Sequence, residues 1–350
     1  MSYTNGLDKP SDYFNTKLYT GDGSTSRSIT GVGFQPDLLW AKSRSYTYYH
    51  ALWDAVRTNK SALYSNATNA EDTSTGGTLG SLDSDGFTTA NVSGGGFINI
   101  NAVTYTSWNW KANGAGSANT DGSISSTVSA NTTSGFSIVT VANVGSGNFT
   151  FGHGLGVAPS WVLAKSRDGG KWNNYFKSLG AGYTIQLPET GAKIVNNTMW
   201  QNTSPTSSVV YSHGGQLDAN ESYVFYCFAE KTGYSKFSSY IGNGSASDGT
   251  FVYTGFKPAW VMIKKTDSAG NFWHIYDNKR STSGSNVVDD VLYPHRSDAE
   301  YSEARLDFVS NGFKIRTTNG DINTSGGNYI FMCFAENPFV SSTGVPATAR

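Results

Sequence analysis

One short stretch occurs three times in this chain and limits what the chain can fold into. It reads GVGFQPDLLWAKSR, GLGVAPSWVLAKSR and TGFKPAWVMIKKT, at residues 31–44, 154–167 and 254–266. In each copy a proline is followed by a short apolar run and, six residues after the proline, by a lysine. These prolines and lysines are Pro36 and Lys42, Pro159 and Lys165, and Pro258 and Lys264. A match of this length in fixed order indicates three related units.

The stretch that occurs three times has the pattern of a buried β-strand. Proline lacks an N–H group and is typical of a strand start. In the second copy, alternation places Trp161, Leu163 and Lys165 on one face and Val162 and Ala164 on the other. Because both faces are apolar, we expect an interior strand of a sheet that is covered on both sides. The lysine is expected to mark the point where the strand reaches water, with its amine outside.

The third copy shows the pattern of strands most clearly. It predicts seven strands, at residues 236–242, 250–254, 259–265, 272–277, 305–309, 313–317 and 329–336. Seven strands in about 100 residues, separated by turn signals, are typical of an antiparallel sandwich. The turns include 84–87 in the first copy and 310–313 in the third, where Asp-Gly and Asn-Gly pairs favour tight hairpins because they tolerate positive φ. The predicted fold class is therefore all-β, with three tandem antiparallel β-sandwich repeats.

The repeats and the composition divide the chain into segments. The predicted segments are an N-terminal arm (1–11), repeat 1 (12–113), a linker (114–120), repeat 2 (121–233), repeat 3 (234–337) and a C-terminal tail (338–350). The linker is predicted from its Gly, Ala, Ser and Asn content. The two terminal segments carry no strand pattern and are candidate docking arms that become ordered on assembly.

Composition and charge exclude several classes of protein. The formal net charge is -1, so no basic surface favours nucleic acid. No apolar run reaches the length of about 18 residues that a membrane helix needs, and we expect neither membrane insertion nor a secretory signal. Cys227 and Cys333 occupy matching positions in two repeats, which favours two small buried side chains over one disulfide. No metal-ligand pattern occurs, so neither a metal nor a cofactor is expected.

A second recurring feature pairs an acid with a base. Asp54-Ala-Val-Arg57 matches Asp277-Asn-Lys-Arg280, whereas the second repeat has Phe176 and Leu179 instead. An aspartate at a strand end can cap the next turn, with the arginine as its partner. Chemistry that each repeat carried out would not be missing from one of them, so a structural role is favoured.

These motifs together resemble a known group of proteins. The stretch GFKPAWVMIK at 255–264, the segment from Trp53 to Arg57, the Asp-Gly-Phe turn and the closing Trp-Asn-Trp-Lys-Ala at 108–112 are similar to a repeat in virion proteins of marine tailed bacteriophages, often tail-fibre-like. The first residues, Tyr-Thr-Asn-Gly-Leu-Asp, and the last, Gly-Val-Pro-Ala-Thr-Ala-Arg, also resemble the ends of such proteins. The resemblance implies a virion structural or host-adhesion role. The sandwich is similar in outline to jelly-roll, lectin-like and SPRY-like domains, by analogy of fold alone.

Catalytic patterns receive little support. Cleavage of a polysaccharide would use paired carboxylates, and the candidates are Glu71/Asp72, Asp83/Asp85, Asp289/Asp290 and Glu300/Glu303. All four pairs lie in polar or charged segments typical of loops, so solvated turn carboxylates are the favoured interpretation. Neither a nucleophile elbow nor a phosphate-binding loop occurs. The sequence therefore predicts a protein that is not an enzyme.

Aromatic residues supply the candidate contact sites. Most tryptophans lie in the repeated strands and are core residues by that placement. Trp200 differs, because polar residues flank it on both sides and the other repeats have no counterpart. It is a candidate for stacking on a sugar ring, for contact with a neighbouring subunit, or for packing within its own loop. Tyr46, Tyr48 and Tyr49 form a second cluster, of which alternation places at least one outward.

The sequence therefore predicts a non-enzymatic virion structural protein that is made in the host cytoplasm and exposed on the particle. Its expected role is capsid decoration, short fibre or tail accessory. The expected partners are other virion proteins, further copies of the chain in a homo-oligomer such as a trimer, and host surface glycan. Two alternatives stay open: a host-receptor adhesin that binds cell-surface glycan, and a polysaccharide depolymerase.

Overall fold

The computed structural model shows an all-β chain. It describes residues 7–58, 61–74, 79–90, 97–281, 286–341 and 343–344. In these ranges there are 26 strands, one short α-helix (α1, Gly320–Asn323) and 3-10 turns at Pro10–Asp12 and Gly214–Gln216. No helix in the described ranges is long and apolar enough to cross a membrane.

The strands fall into three consecutive groups, which we call the first, second and third units. The first unit comprises β1 (Phe14–Thr20), β2 (Ser28–Thr30), β3 (Leu38–Ser43), β4 (Ala51–Asp54), β5 (Leu63–Tyr64), β6 (Leu79–Asp83), β7 (Gly86–Thr89) and β8 (Thr104–Trp110). The second comprises β9 (Ser117–Asn119), β10 (Ser126–Asn131), β11 (Phe136–Val141), β12 (Asn148–Gly152), β13 (Trp161–Ser166), β14 (Trp172–Phe176), β15 (Tyr183–Leu187), β16 (Ile194–Val195), β17 (Val209–His213) and β18 (Tyr223–Phe228). The third comprises β19 (Ser235–Ile241), β20 (Phe251–Tyr253), β21 (Phe256–Lys265), β22 (Trp273–Asp277), β23 (Val287–Val291), β24 (Tyr301–Val309), β25 (Gly312–Ile315) and β26 (Asn328–Pro338).

Each unit contains a large antiparallel sheet with the same central strand order. The matching orders are β1-β8-β3-β4, β11-β18-β13-β14 and β19-β26-β21-β22. The strand that carries the duplicated stretch is interior in every unit, as its two apolar faces predict. Each unit also has a second sheet, which we call the smaller sheet although both sheets of the third unit have four strands: β2-β7-β6, β12-β17, and β20-β25-β24-β23. Every sheet draws its strands from one continuous stretch of chain, so the described strands are not exchanged between units.

The large sheets have an apolar core on both faces. One face packs on the unit's own smaller sheet, where Val162 and Ala164 lie in the second unit. The opposite faces of all three large sheets meet in a common core that contains Trp161 and Leu163. Aromatic rings from different units touch there, with 5.9 Å between the ring centroids of Trp110 and Trp260. The predicted alternation is therefore confirmed, and the three units form one body around the common core.

The duplicated Gly-Phe pairs follow two-residue turns rather than forming them. The turn residues are 84–85 and 310–311, because Asp83 pairs with Gly86 and Val309 pairs with Gly312. A Cβ atom on Gly86 would lie 2.0 Å from the carbonyl oxygen of Ile29, and one on Gly312 would lie 2.1 Å from that of Val252. The tight hairpins predicted at 84–87 and 310–313 are present, but the glycines lie just after the turns and are required by the close approach of the neighbouring strand.

Several predicted boundaries differ from the structure. The predicted linker contributes β9, which pairs with β10 at the edge of the second unit's large sheet. The strand β26 continues to Pro338, one residue into the predicted C-terminal tail. Leu7 of the predicted N-terminal arm is buried in the common core, whereas residues 1–6 and 345–350 lie outside the described residues. The strand β23 was not predicted, because its sequence, Val-Val-Asp-Asp-Val, does not alternate between apolar and polar residues.

Candidate functional site

The three repeated lysines are buried, so the prediction that their amines reach water was wrong. Lys42, Lys165 and Lys264 are each at most 1% exposed. Each amine donates to carbonyl oxygens of the loop after its own strand. In two cases it also donates to the neighbouring unit: Lys165 to the Asn69 oxygen at 3.0 Å and Lys264 to the Thr190 oxygen at 3.2 Å. The loops that cover the lysines come from distant sequence, which the strand pattern does not reveal.

Burial changes the acid–base behaviour of these amines. Burial lowers the pKa of Lys42 to about 7 and the pKa values of Lys165 and Lys264 to about 8. A lowered amine pKa is found in lysine nucleophiles, but such an amine must also be reachable. Here each amine is enclosed and bonded to backbone carbonyls, and the amines of Lys165 and Lys264 join the loop after their own strand to a segment of the neighbouring unit.

The first recurring Asp–Arg pair lies where the first unit meets the second. Arg57 Nε donates to Asp54 Oδ2 at 2.6 Å, and Arg57 Nη1 donates to Glu71 Oε1 at 2.8 Å. Glu71 also accepts from Arg167 of the second unit, at 2.8 and 2.9 Å. The hydroxyl of Tyr226, also in the second unit, donates to Asp54 Oδ2 at 2.7 Å. Two acids and two arginines thus join the two units.

The second Asp–Arg pair forms the same network where the third unit meets the first. Arg280 Nε donates to Asp277 Oδ2 at 2.6 Å, and Arg280 Nη1 donates to Glu300 Oε2 at 2.8 Å. Glu300 accepts from Arg44 of the first unit at 2.6 Å. Trp108 Nε1, also of the first unit, donates to Asp277 Oδ2 at 2.8 Å and takes the place that Tyr226 has in the other network.

The junction of the second and third units keeps the backbone contact but not the charges. At the first two junctions the amide of Glu71 donates to the Arg167 oxygen at 2.8 Å, and that of Glu300 to the Arg44 oxygen at 2.7 Å. At the third junction the amide of residue 193, a lysine, donates to the oxygen of residue 266, a threonine, at 2.9 Å. The same backbone contact therefore recurs at all three junctions.

The electrostatics of the networks indicate a structural role. The side chains of Arg57 and Arg280 are completely buried. Burial would lower the pKa of Arg57, but Asp54, Tyr226 and Glu71 together outweigh this, and the arginine pKa is raised. Burial would raise the pKa of Glu71, yet the bonds from Arg167 and Arg57 leave it lowered. Every charge in the network thus has a partner of opposite sign, as buried charges require.

Glu71 and Glu300 are functional residues that the sequence analysis misplaced. They were predicted to be solvated turn carboxylates, but each side chain is only 11% exposed. Both lie in irregular segments far from their arginine partners in sequence, with Arg44 and Glu300 separated by 256 residues. A pattern confined to one repeat could not have found them. Their common feature, an acid some 14 to 20 residues after the Arg of the Asp–Arg pair, is visible only in retrospect.

Trp200 is a core residue and not a surface contact. It is 1% exposed and packs in the second unit's sandwich core, with its ring edge-to-face against Tyr175 at 6.0 Å. The glycan-stacking and subunit-contact interpretations were therefore wrong for this residue. The flanking amides do not indicate exposure, because Asn196 accepts from the amides of Thr198 and Met199 within the loop and Gln201 donates to the Phe149 oxygen of β12.

The tyrosine cluster lies on the loop between β3 and β4. Tyr46 is 59% exposed, Tyr49 is exposed and Tyr48 is half-buried. The rings of Tyr46 and Tyr48 stack at 6.1 Å, and Tyr49 stacks on Tyr64 at 4.5 Å. The buried amine of Lys42 donates to the Tyr46 carbonyl and so anchors the loop, while the rings of Tyr46 and Tyr49 are exposed to solvent. A contact role for these tyrosines stays a prediction.

Three buried histidines form a group that the sequence analysis did not single out. His50 accepts from Trp40 Nε1 at 3.1 Å, His274 lies 3.0 Å from an Arg305 nitrogen, and His295 packs beside an aromatic ring. Burial lowers the pKa of all three, that of His295 to about 3. In the part of the chain that the structure describes, no group of three or more His, Cys, Asp or Glu is placed to hold a metal ion.

Comparison with known proteins places the chain in a family. No curated protein matches the sequence significantly. The family described as Domain of unknown function (DUF7483) matches residues 9–338, a range that includes all three units and both ionic networks. The chain therefore belongs to the family Domain of unknown function (DUF7483).

Proposed function

We propose that this chain is a non-enzymatic structural protein of a bacteriophage particle, serving as capsid decoration, short fibre or tail accessory. The observation that carries the proposal is the common core, which joins three matching sheets into one body. Such a body offers a fixed surface for assembly, because its units cannot move apart without exposing that core. The resemblance of its motifs to virion repeats supplies the link to the phage particle.

The use of the ionisable side chains supports a role without catalysis. A catalytic site needs acids, bases or nucleophiles that a substrate can reach, with pKa values matched to their task. The recurring candidates of this chain are Asp54, Arg57, Asp277, Arg280 and the repeated lysines. All of them are buried and bonded to protein groups, and all except Lys42 are bonded at the junctions between units. They serve to hold the body together.

The proposal places the chain on the particle surface with other virion proteins as partners. Light scattering on the purified protein distinguishes two forms of the proposal. A stable trimer would favour a fibre or knob, whereas a monomer would favour a decoration protein that assembles only on a capsid or tail lattice.

The decisive experiment is quantitative mass spectrometry of phage particles purified on a density gradient. We expect this chain in the particle fractions at a fixed molar ratio to the major capsid protein, before and after a high-salt wash. An abundant host cytoplasmic protein serves as the control for carry-over. If the chain stays in the soluble lysate, or leaves the particles together with the control, the proposal is wrong. The depolymerase alternative would instead require a loss of viscosity when the protein is added to host polysaccharide.

A further inference from the structure

A cleft of about 650 Å³ lies beside the C-terminal segment of the third unit. Its lining includes Tyr253, Phe339, Thr232, Glu230 and Lys236. Cavities of about 300–1,000 Å³ are the usual size for small-molecule sites. The cleft is thus large enough for several sugar rings, and it lies away from the ionic networks.

The aromatic side chains at the cleft are unusually exposed for this protein. Tyr253 is 60% exposed and Phe339 is 37% exposed, whereas most tryptophans and phenylalanines are buried. Phe251, two residues before Tyr253 on β20, is also exposed. Alternate residues of a strand lie on one face about 7 Å apart. The edge strand β20 therefore presents a row of aromatic rings that leads into the cleft.

The backbone holds the Tyr253 ring in position. A Cβ atom on Gly255 would lie 3.6–3.8 Å from the hydroxyl and two ring carbons of Tyr253, so the ring lies directly against this glycine. The amide of Phe339 donates to the Gly255 oxygen at 3.3 Å, which places Phe339 beside the same glycine. Both aromatic residues thus lie next to one short segment of backbone.

The charges at the cleft cancel. Lys236 Nζ lies 2.8 Å from Glu230 Oε1, so the acid and the base among the described residues that line the cleft form an ion pair. Thr232, which is exposed, adds a hydroxyl group. A neutral ligand rich in hydroxyl groups complements this lining better than a charged one does, because paired ions can still exchange hydrogen bonds with hydroxyls.

We propose that this cleft binds a neutral oligosaccharide. The C–H face of a pyranose ring is weakly positive and packs on the negative face of an aromatic ring, as Tyr253 and Phe339 offer it. The sugar hydroxyls then bond to Thr232 and to the Glu230–Lys236 pair. This inference does not depend on the particle assignment, since a sugar site requires only the cleft.

Saturation-transfer NMR on the full chain tests the proposal. The probes are three neutral hexasaccharides (maltohexaose, cellohexaose and chitohexaose), with hexagalacturonate as the charged comparison. We expect saturation transfer to the ring protons of at least one neutral probe, with a Kd on the order of 1 mM. Tyr253→Ala and Phe339→Ala should each weaken binding at least about tenfold. The matched control is Tyr301→Ala, which also removes an exposed tyrosine. Tyr301 begins β24, whereas the other end of that strand, Val309, pairs with Gly312 beside Tyr253.

Four results would overturn the proposal. They are no transfer to any neutral probe, binding that Tyr253→Ala leaves unchanged, stronger binding of hexagalacturonate than of the neutral probes, and binding only by a chain that ends at Gly344. The last result would mean that the protein's own terminal residues occupy the cleft. Thermal melts of all variants exclude unfolding as the cause of lost binding. Because the particle assignment is tested by mass spectrometry, either proposal can fail while the other stands.

Discussion

Asp277→Asn tests whether the ionic network holds the third unit to the first. The substitution keeps the size of the side chain but removes its charge. Asp277 Oδ2 accepts from Arg280 Nε at 2.6 Å and from Trp108 Nε1 at 2.8 Å. An amide nitrogen at that position would face two donors and accept from neither.

The magnitude follows from what is left without a partner. The buried Trp108 N–H loses its acceptor, which costs about 1–3 kcal/mol. Arg280 stays charged and buried with Glu300 as its remaining acidic partner, and breaking a buried ion pair costs about 3–5 kcal/mol in total when one partner is removed. We therefore expect the free energy of unfolding to fall by about 3–5 kcal/mol and the melting temperature to fall on the order of 5–10 °C.

Urea unfolding followed by tryptophan fluorescence is the assay, because urea carries no charge and does not screen ion pairs. The matched control is Asp248→Asn, which removes the same group from a surface pair with Lys314 at 2.8 Å. This control should leave the free energy of unfolding in urea unchanged, since Asp248 is almost fully exposed. If Asp277→Asn unfolds at the same urea concentration as Asp248→Asn, the network does not hold the junction and the reasoning is wrong.

Three further predictions concern buried groups. The three buried histidines are neutral in the folded protein because burial lowers the pKa of each, that of His295 to about 3. Since the pKa in the unfolded chain is about 6.5, their contribution to stability is complete above that pH and is lost as the pH falls, by up to about 1.4 kcal/mol per pH unit for each histidine. In urea melts between pH 7 and 5, the free energy of unfolding of His295→Gln should therefore fall less steeply with pH than that of the unsubstituted chain. Trp200→Ala should cost about 3–5 kcal/mol in urea melts because the ring fills the second sandwich core, whereas Tyr46→Ala should leave them unchanged. Cys227 and Cys333 are unpaired and buried, so a thiol reagent should modify neither until urea unfolds the chain, and early modification would contradict the placement of both.

Local pattern was sufficient to predict the fold class and every strand of the third unit except β23. The apolar run after each proline gave the interior strand, and alternation assigned Trp161 and Val162 to opposite faces correctly. These predictions succeed because a strand has a two-residue period that the sequence displays directly. The sequence also showed that the Asp–Arg pair lacked a counterpart in the second unit.

Contacts between units could not be predicted from the same patterns. The lysine amines were expected in water because the strand pattern contains no trace of the loops that cover them. Glu71 and Glu300 were expected in solvent for the same reason, since their arginine partners lie on other units. The amides around Trp200 suggested exposure, although they fold the loop back over the ring. In each case the local sequence pattern did not show which distant segment of the chain covers the side chain.

The difference among the three junctions follows from the energetics of buried charge. At the junction of the second and third units every member of the network is replaced at once, by Phe176, Leu179, Lys193, Thr266 and Met332. A buried network with one member missing leaves an uncompensated charge, whereas replacing all the buried charges by well-packed apolar side chains is often neutral or stabilising. Phe176 is such a replacement, and the charged residue Lys193 is exposed. The network should therefore be present whole or absent whole, as observed. Phe176→Asp alone is accordingly expected to lower the free energy of unfolding by at least about 3 kcal/mol, because it adds a carboxylate to the common core without its arginine. Urea melts that show Phe176→Asp to be as stable as the unsubstituted chain would contradict this argument.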